Sequence, residues 1–347
     1  MEDSNKIVLV TGGSGFVGIH CVLQLLQKGY SVRTTIPSVV RKDQVIAMLK
    51  KGGITNFDNL SFIVTDLTSD QNWDEAVKDC YYILHVVSPI FLRVPKHEDG
   101  IIKPAVEGTL RVLKAARNAG VKRVVMTSNF SAVGYSHKDK TTLITEADWT
   151  DPNEKGLSIF NKSKVLAEKA AWDFIEKEGG TLELSVINPM GIFGPSLNPI
   201  LSSGFQLFKG LIDGSAKSIP NINFYIVDVR DLADLHIRAM TNPAANGQRF
   251  LALGGENISL LEISKLLKIK MPEVTKHATS KTRPDWIVHL KALFNEREKT
   301  IASLVGVYHN ASNEKAKKLL GWNPRSNEEA ILATTKSILE FGHLKTN

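Results

Sequence analysis

Apolar residues in the first half of the chain fall into short runs, separated by stretches in which they recur every three or four positions. Residues 6–10, 31–36, 60–64, 82–87, 122–127 and 182–187 are the runs, most of them rich in Val and Ile. The first is continuously apolar from Ile7 to Val10 and ends in a glycine cluster, as in a strand covered on both faces. Between the runs, residues 16–27, 104–119 and 164–178 carry the repeat of amphipathic helices. Gly29 follows the first of these, where a helix commonly ends. Strands and helices alternate through residue 190, which predicts βαβ units. The expected fold class is α/β, a Rossmann-type doubly wound parallel sheet. The alternation loosens after Pro189. The pattern therefore predicts a first domain over residues 1–190, with a strand and a helix returning to it at about 222–240. Residues 191–347 form mostly a smaller C-terminal α/β lobe.

Composition alters this picture little. Of 347 residues, 43% are hydrophobic and 23% charged, which suits a folded core and excludes a disordered chain. Two cysteines, Cys21 and Cys80, are too few for a disulfide framework or a four-thiolate zinc site, and a reducing, cytoplasmic setting is expected. The histidines show no metal-ligand spacing, so no metal is expected. The N-terminal residues are polar and acidic, unlike a secretory signal. Residues 184–208 lack Asp, Glu, Lys and Arg, but Pro189, Pro195, Pro199, Asn188 and Asn198 make them a strand running into a loop rather than a lipid-facing helix. The net charge of +7 admits nucleic acid, an anionic membrane or a phosphate-bearing ligand. Residues 276–299, basic and holding Trp286 and Phe294, read as a solvated helix face. Neither nucleic acid nor membrane is therefore expected as a partner.

In a doubly wound sheet, ligands bind beyond the carboxyl ends of the strands. The first strand runs into Thr11-Gly12-Gly13-Ser14-Gly15-Phe16-Val17-Gly18, which opens a helix. Gly12 permits a tight turn, Gly15 lets backbone approach a pyrophosphate, and Gly18 lets helix and strand pack closely. Phe16 and Val17 belong to the same turn, and the helix start offers free N–H groups to phosphates. The end of the second strand lacks a carboxylate until Asp43, while Arg33 and either Arg41 or Lys42 stand ready for a 2′-phosphate. That favours NADP(H) over NAD(H). Asp66, beside Leu67 at the end of the third strand, is placed to accept a hydrogen bond from adenine. His85, inside a buried strand, reads as a core histidine.

These motifs resemble the extended short-chain dehydrogenases/reductases, in the branch of dihydroflavonol reductase, cinnamoyl-CoA reductase and the microbial aldehyde/ketone reductases. The resemblance continues through His85-Val86-Val87-Ser88-Pro89, Lys103-Pro104-Ala105-Val106-Glu107-Gly108-Thr109 and Val124-Val125-Met126-Thr127-Ser128. It runs on through Lys164-Val165-Leu166-Ala167-Glu168-Lys169, Asn188-Pro189-Met190-Gly191-Ile192-Phe193-Gly194-Pro195 and Val227-Asp228-Val229-Arg230-Asp231, weakening after about Leu253. It implies hydride transfer from NADPH to a small-molecule carbonyl substrate, by a monomer or a homodimer. It places Val86, Val87 and Ser88 against the cofactor through backbone groups, and Pro189 and Ile192 beside the nicotinamide. Phe91, Phe193, Leu197, Ile200, Phe205 and Tyr225 lie in or near loops past strand ends and are candidates to line an apolar substrate pocket.

The family's active site combines a Ser or Thr with a Tyr-x-x-x-Lys pair, whose spacing sets both side chains on one helix face. Here the Lys is Lys164, but four residues earlier stands Phe160, which has no proton to give. Asn129 occupies the position of the family Ser, with Ser128 and Ser131 as alternative donors. Tyr135 lies past a different strand, off this helix. Three readings follow: a reductase whose Tyr has been changed to Phe, a reductase working through Lys164 or water, or a non-catalytic NADP-binding sensor or regulator.

Overall fold

The computed structural model describes residues 6–89, 97–137, 139–199, 203–295, 298 and 301–344. Strands β1 (Ile7–Thr11), β2 (Ser31–Ile36), β3 (Leu60–Val64), β4 (Cys80–His85), β5 (Arg123–Thr127) and β6 (Glu183–Pro189) join the strand Gln248–Ala252 in one sheet. From one edge the order is Gln248–Ala252, β6, β5, β4, β1, β2, β3. Every neighbouring pair is parallel. The chain winds outward from β1 through β2 and β3, then crosses back to β4 and winds the other way. The reversal leaves a crevice beyond the carboxyl ends of β1 and β4, where Thr11 sits in register with His85.

The apolar runs have a direct cause, since both faces of the sheet are covered. Val8, Val10, Val125 and Ile187 face α1 (Phe16–Gln27) and a returning helix, Val229–Thr241. Leu9, Ile83, Val124 and Val186 face α4 (Asp99–Asn118) and α5 (Ile159–Glu178). Two shorter helices, α2 (Arg41–Lys51) and α3 (Trp73–Val77), complete the β2 and β3 crossovers. Both α4 and α5 start earlier than the periodicity predicts. Pro104 lies inside α4. Ser158 caps α5, its hydroxyl accepting the Asn161 N–H at 3.2 Å, which brings Phe160 into the first turn.

Of the return expected at about 222–240, the helix Val229–Thr241 packs on the sheet, but the strand Ile226–Asp228 pairs with Gly191–Phe193 outside it. The strand that joins the sheet is Gln248–Ala252, at its edge beside β6. Buried Arg123 locks the return in place, donating to the carbonyls of Ala239, Met240 and Asn242 at the end of the returning helix and pairing with Glu183. The remaining lobe has its own core, in which Phe193, Phe205, Phe208, Ile226, Ile263 and Ile331 are buried. Residues 184–208 become β6, the short strand Gly191–Phe193 and the start of a helix, Ser203–Ile212. Among the described residues, no helix is long and apolar enough to cross a membrane. The basic stretch forms a short helix, Asp285–Ala292, with Trp286 exposed; Phe294 beyond it is exposed too, and Arg283 is neutralised by Glu298 at 2.7 Å.

Candidate active site

The glycine turn is shaped by what its residues lack. Gly12 adopts φ +76°, and a Cβ there would stand 2.8 Å from the Val87 Cβ. A Cβ on Gly18 would lie 2.2 Å from the Gly12 carbonyl oxygen. Gly15 differs: its Cβ would meet only that same oxygen, at 3.2 Å, so its other side faces open space. Gly15 caps α1 with no side-chain hydrogen bond, which leaves the first-turn N–H groups for an anion. Thr35 steadies the turn, its hydroxyl accepting the Gly12 N–H at 2.9 Å.

Beyond β4 and β5, side chains take over. Lys164 rises from α5 and donates from Nζ to the Ser88 hydroxyl at 2.7 Å. Burial lowers its pKa to about 8. Phe160, one turn earlier, sits 52% exposed at the rim, with the Lys164 ammonium 5.4 Å from its ring centre. Asn129 caps a turn by accepting the Ser131 N–H on Oδ1 at 2.8 Å, so its Nδ2 is the group left to donate. A small cleft brings Lys164 together with Leu67, His85, Val87, Ser88 and Ser128.

Several expected residues stand elsewhere or are engaged. Arg33 is not aimed at a 2′-phosphate, because its guanidinium donates to the carbonyls of Glu75, Ala76 and Lys78 around the end of α3. It is a mid-strand residue whose side chain turns toward that helix. Arg41 and Lys42 open α2, where Arg41 bonds Gln44 at 2.6 Å and Lys42 lies over the Phe62 ring. The N–H groups of Val86 and Val87 both donate to the Thr11 hydroxyl, at 3.0 and 3.1 Å, so they are not available to a cofactor. Ser131 is fully buried and its hydroxyl has no partner among the described residues, so it does not face the cleft. Ser128 does line the cleft, but its proton goes to Glu168. Asp66 is exposed, its carboxylate held below the ordinary pKa by the Thr68 N–H and hydroxyl, with Arg111 reaching the Leu67 carbonyl.

Phe16 packs against a second buried cluster, its ring 5.0 Å from that of Phe205, while Val17 packs against the main core. Phe193 is buried against Phe208 and Phe224. Tyr225 ties its hydroxyl to Ala311, accepting the N–H at 3.0 Å and donating to the carbonyl at 3.2 Å. Pro189 ends β6, and Ile192 pairs with Val227 in a two-stranded sheet. Leu197 lines a separate groove of about 860 Å³ behind α1, with His20 and Arg230, rather than the cleft beside Lys164. Phe91 and Ile200 lie outside the described residues.

The pattern of the chain did not single out Thr11, Glu168, Asn188 or Arg249. Thr11 uses both lone pairs on the two valine amides, so its own proton goes to His85 Nδ1 at 3.1 Å. Burial keeps His85 neutral, with a pKa near 4, and this geometry puts its proton on Nε2. Glu168, one turn past Lys164, is a charged residue on a buried helix face. That mismatch was the signal available in the sequence.

Fold and site together define a Rossmann-type oxidoreductase with its chemistry at the strand ends. The chain belongs to the 3-beta hydroxysteroid dehydrogenase/isomerase family, whose pattern it matches over residues 9–253. It is 34% identical over 258 residues to a cinnamoyl-CoA reductase of Medicago truncatula, covering 72% of this chain and 78% of that one. Two solved structures superimpose on it with TM-scores of 0.79. One is Gre2 of Candida albicans in complex with NADPH, 28% identical, covering 97% of this chain and 99% of the other. The second is the yeast methylglyoxal/isovaleraldehyde reductase Gre2 complexed with NADPH, 26% identical with the same coverage.

Proposed function

We propose that this protein reduces an aldehyde or ketone to the alcohol with NADPH, and that Lys164 delivers the proton. The observation that carries the reading is Lys164 itself: an ammonium held by Ser88 at 2.7 Å, with its pKa lowered to about 8, beside a Phe160 that has no hydroxyl. Bound NADPH supplies a hydride to the carbonyl carbon. Asn129 Nδ2 donates to the carbonyl oxygen and polarises it. As negative charge gathers on that oxygen, Lys164 passes it a proton from Nζ and recovers one from solvent.

The residues present fit the cofactor. Gly15 leaves room for a pyrophosphate above the open start of α1. Arg41 and Lys42, at the start of α2, are the cations for a 2′-phosphate, and β2 ends without a competing carboxylate. The solved NADPH complexes of the two Gre2 proteins support the same choice. The substrate is a small apolar or aromatic carbonyl compound, and both cysteines are free and buried, as suits the cytoplasm.

NADPH oxidation measured with a panel of aldehydes and ketones tests this, in the chain as it stands and in Phe160→Tyr. Turnover in the unaltered chain is the expected result. A second reading, a non-catalytic NADP-binding regulator, is favoured by the missing hydroxyl at Phe160. Saturable NADPH binding with no turnover in either form would establish it instead.

A further inference from the structure

We infer that Glu168 is a positioning residue for carbonyl reduction, acting through Ser128, Asn188 and Asn129. The inference rests on the reading of Asn129 given above. Glu168 follows Lys164 by one turn of α5, its side chain is 0% exposed, and it lines the same cleft. A carboxylate so enclosed is costly unless its oxygens are fully engaged. Oε1 accepts the Arg249 Nε–H at 2.6 Å and the Trp172 Nε1–H at 3.4 Å. Arg249 is fixed in turn by the carbonyls of Asp148 and Glu146, at 2.6 and 3.0 Å, and by stacking 3.7 Å from the centre of the Trp149 ring.

Oε2 does something different. It accepts the Ser128 hydroxyl at 2.5 Å and the Asn188 Nδ2 at 2.7 Å. A carboxylate only accepts, so both partners must donate. Ser128 therefore gives its proton to Glu168, and its hydroxyl oxygen keeps only lone pairs for other partners. Asn188 has its other Nδ2 hydrogen on the Asn129 carbonyl, at 3.2 Å. That bond holds the Asn129 backbone, while Ser131 N–H holds its Oδ1 at 2.8 Å. With its Oδ1 engaged, Asn129 has Nδ2 left to donate. A single buried carboxylate thus decides which groups on the wall donate and which accept.

Glu168→Gln keeps the shape and replaces one acceptor with a donor, so Ser128 or Asn188 must turn. Two readouts are made on the NADPH-loaded chain: kcat and KM for a reactive aldehyde, and binding of an unreactive primary amide whose oxygen mimics the carbonyl oxygen. The expected result is a fall of about tenfold or more in kcat and in amide affinity, as for a misplaced oxyanion donor. The KM for NADPH should change less than about threefold, and adding Ser128→Ala should cost little more, as for residues acting in one network. Unchanged kcat and amide affinity, or losses that simply multiply in the double variant, would overturn the inference. If Glu168→Gln does not fold, Ser128→Ala alone tests the link, and unchanged amide affinity there overturns it. Asn129→Ala separates the two levels. If it leaves amide affinity intact, the role given to Asn129 fails; if it weakens binding and Glu168→Gln does not, only the inference fails.

Discussion

The two halves of the crevice are built by opposite means. On the β1 side, the site is made of backbone and of missing side chains: Gly12, Gly15 and Gly18 clear a path, and the bare start of α1 faces it. On the β5 and β6 side, it is made of long side chains, each held by a partner far away in the sequence. Lys164 is held by Ser88 and Glu168 by Arg249. A backbone site depends on a few adjacent residues, so its motif is local. A side-chain site depends on which atoms donate and which accept, and tertiary packing settles that.

The contrast predicts different failures on the two sides. The largest effect is expected from Lys164→Met, which removes the proton source: kcat should fall by roughly 10²–10⁴-fold. A fall of less than about tenfold would give the proton to another group. Gly18→Ala should act through binding, since the new Cβ would stand 2.2 Å from the Gly12 carbonyl oxygen and the turn must move. Fluorescence titration should show NADPH affinity lowered by about tenfold or more, an expected cost of about 1.4 kcal/mol. Unaltered affinity would mean that the turn does not cradle the cofactor.

Phe160→Tyr restores a hydroxyl on the helix face that carries Lys164 and is expected to raise kcat by roughly tenfold or more. No change would show that Lys164 is already sufficient. The smallest mutational effect is expected around the 2′-phosphate. Arg41→Ala with Lys42→Ala should lower the preference for NADPH over NADH by about tenfold, as for a lost charge-assisted contact. Arg33→Ala should leave that preference unchanged and lower the melting temperature, because Arg33 holds the end of α3. The reverse result would return Arg33 to the cofactor.

The pH profile sharpens the same division. The ammonium form of Lys164 is the proton donor, and burial brings its pKa down to about 8. Below that value the group is protonated and kcat should be level. Above it, kcat should fall about tenfold per pH unit. A level profile to about pH 10 would remove Lys164 as the acid.

The sheet was largely legible from the chain because short apolar runs alternate there with helical periods. The edge strand Gln248–Ala252 was not, since it lies after that alternation loosens. The helix face joining Phe160 to Lys164 came from the resemblance, since the periodicity began the helix only at Lys164; both residues lie in α5. The partner of Arg33 was not legible because a cation in β2 has two nearby targets, a ligand beyond the strand or the carbonyls closing α3. Sequence spacing does not separate them. Nor was it legible that the Val86 and Val87 amides are engaged: the Thr11 hydroxyl that takes them lies 75 residues away from Val86 in the chain.

By itself the sequence determined the doubly wound sheet, the glycine turn and the helix that carries Lys164. Each follows from interactions between near neighbours: period, turn geometry and helical spacing. Only the tertiary structure decided which donors remain free. The hydrogens of Ser128 and Asn188, the amides of Val86 and Val87 and the guanidinium of Arg33 are all claimed by partners from other elements. A hydrogen bond depends on distance and direction in space, and residue order does not encode those until the sheet has closed.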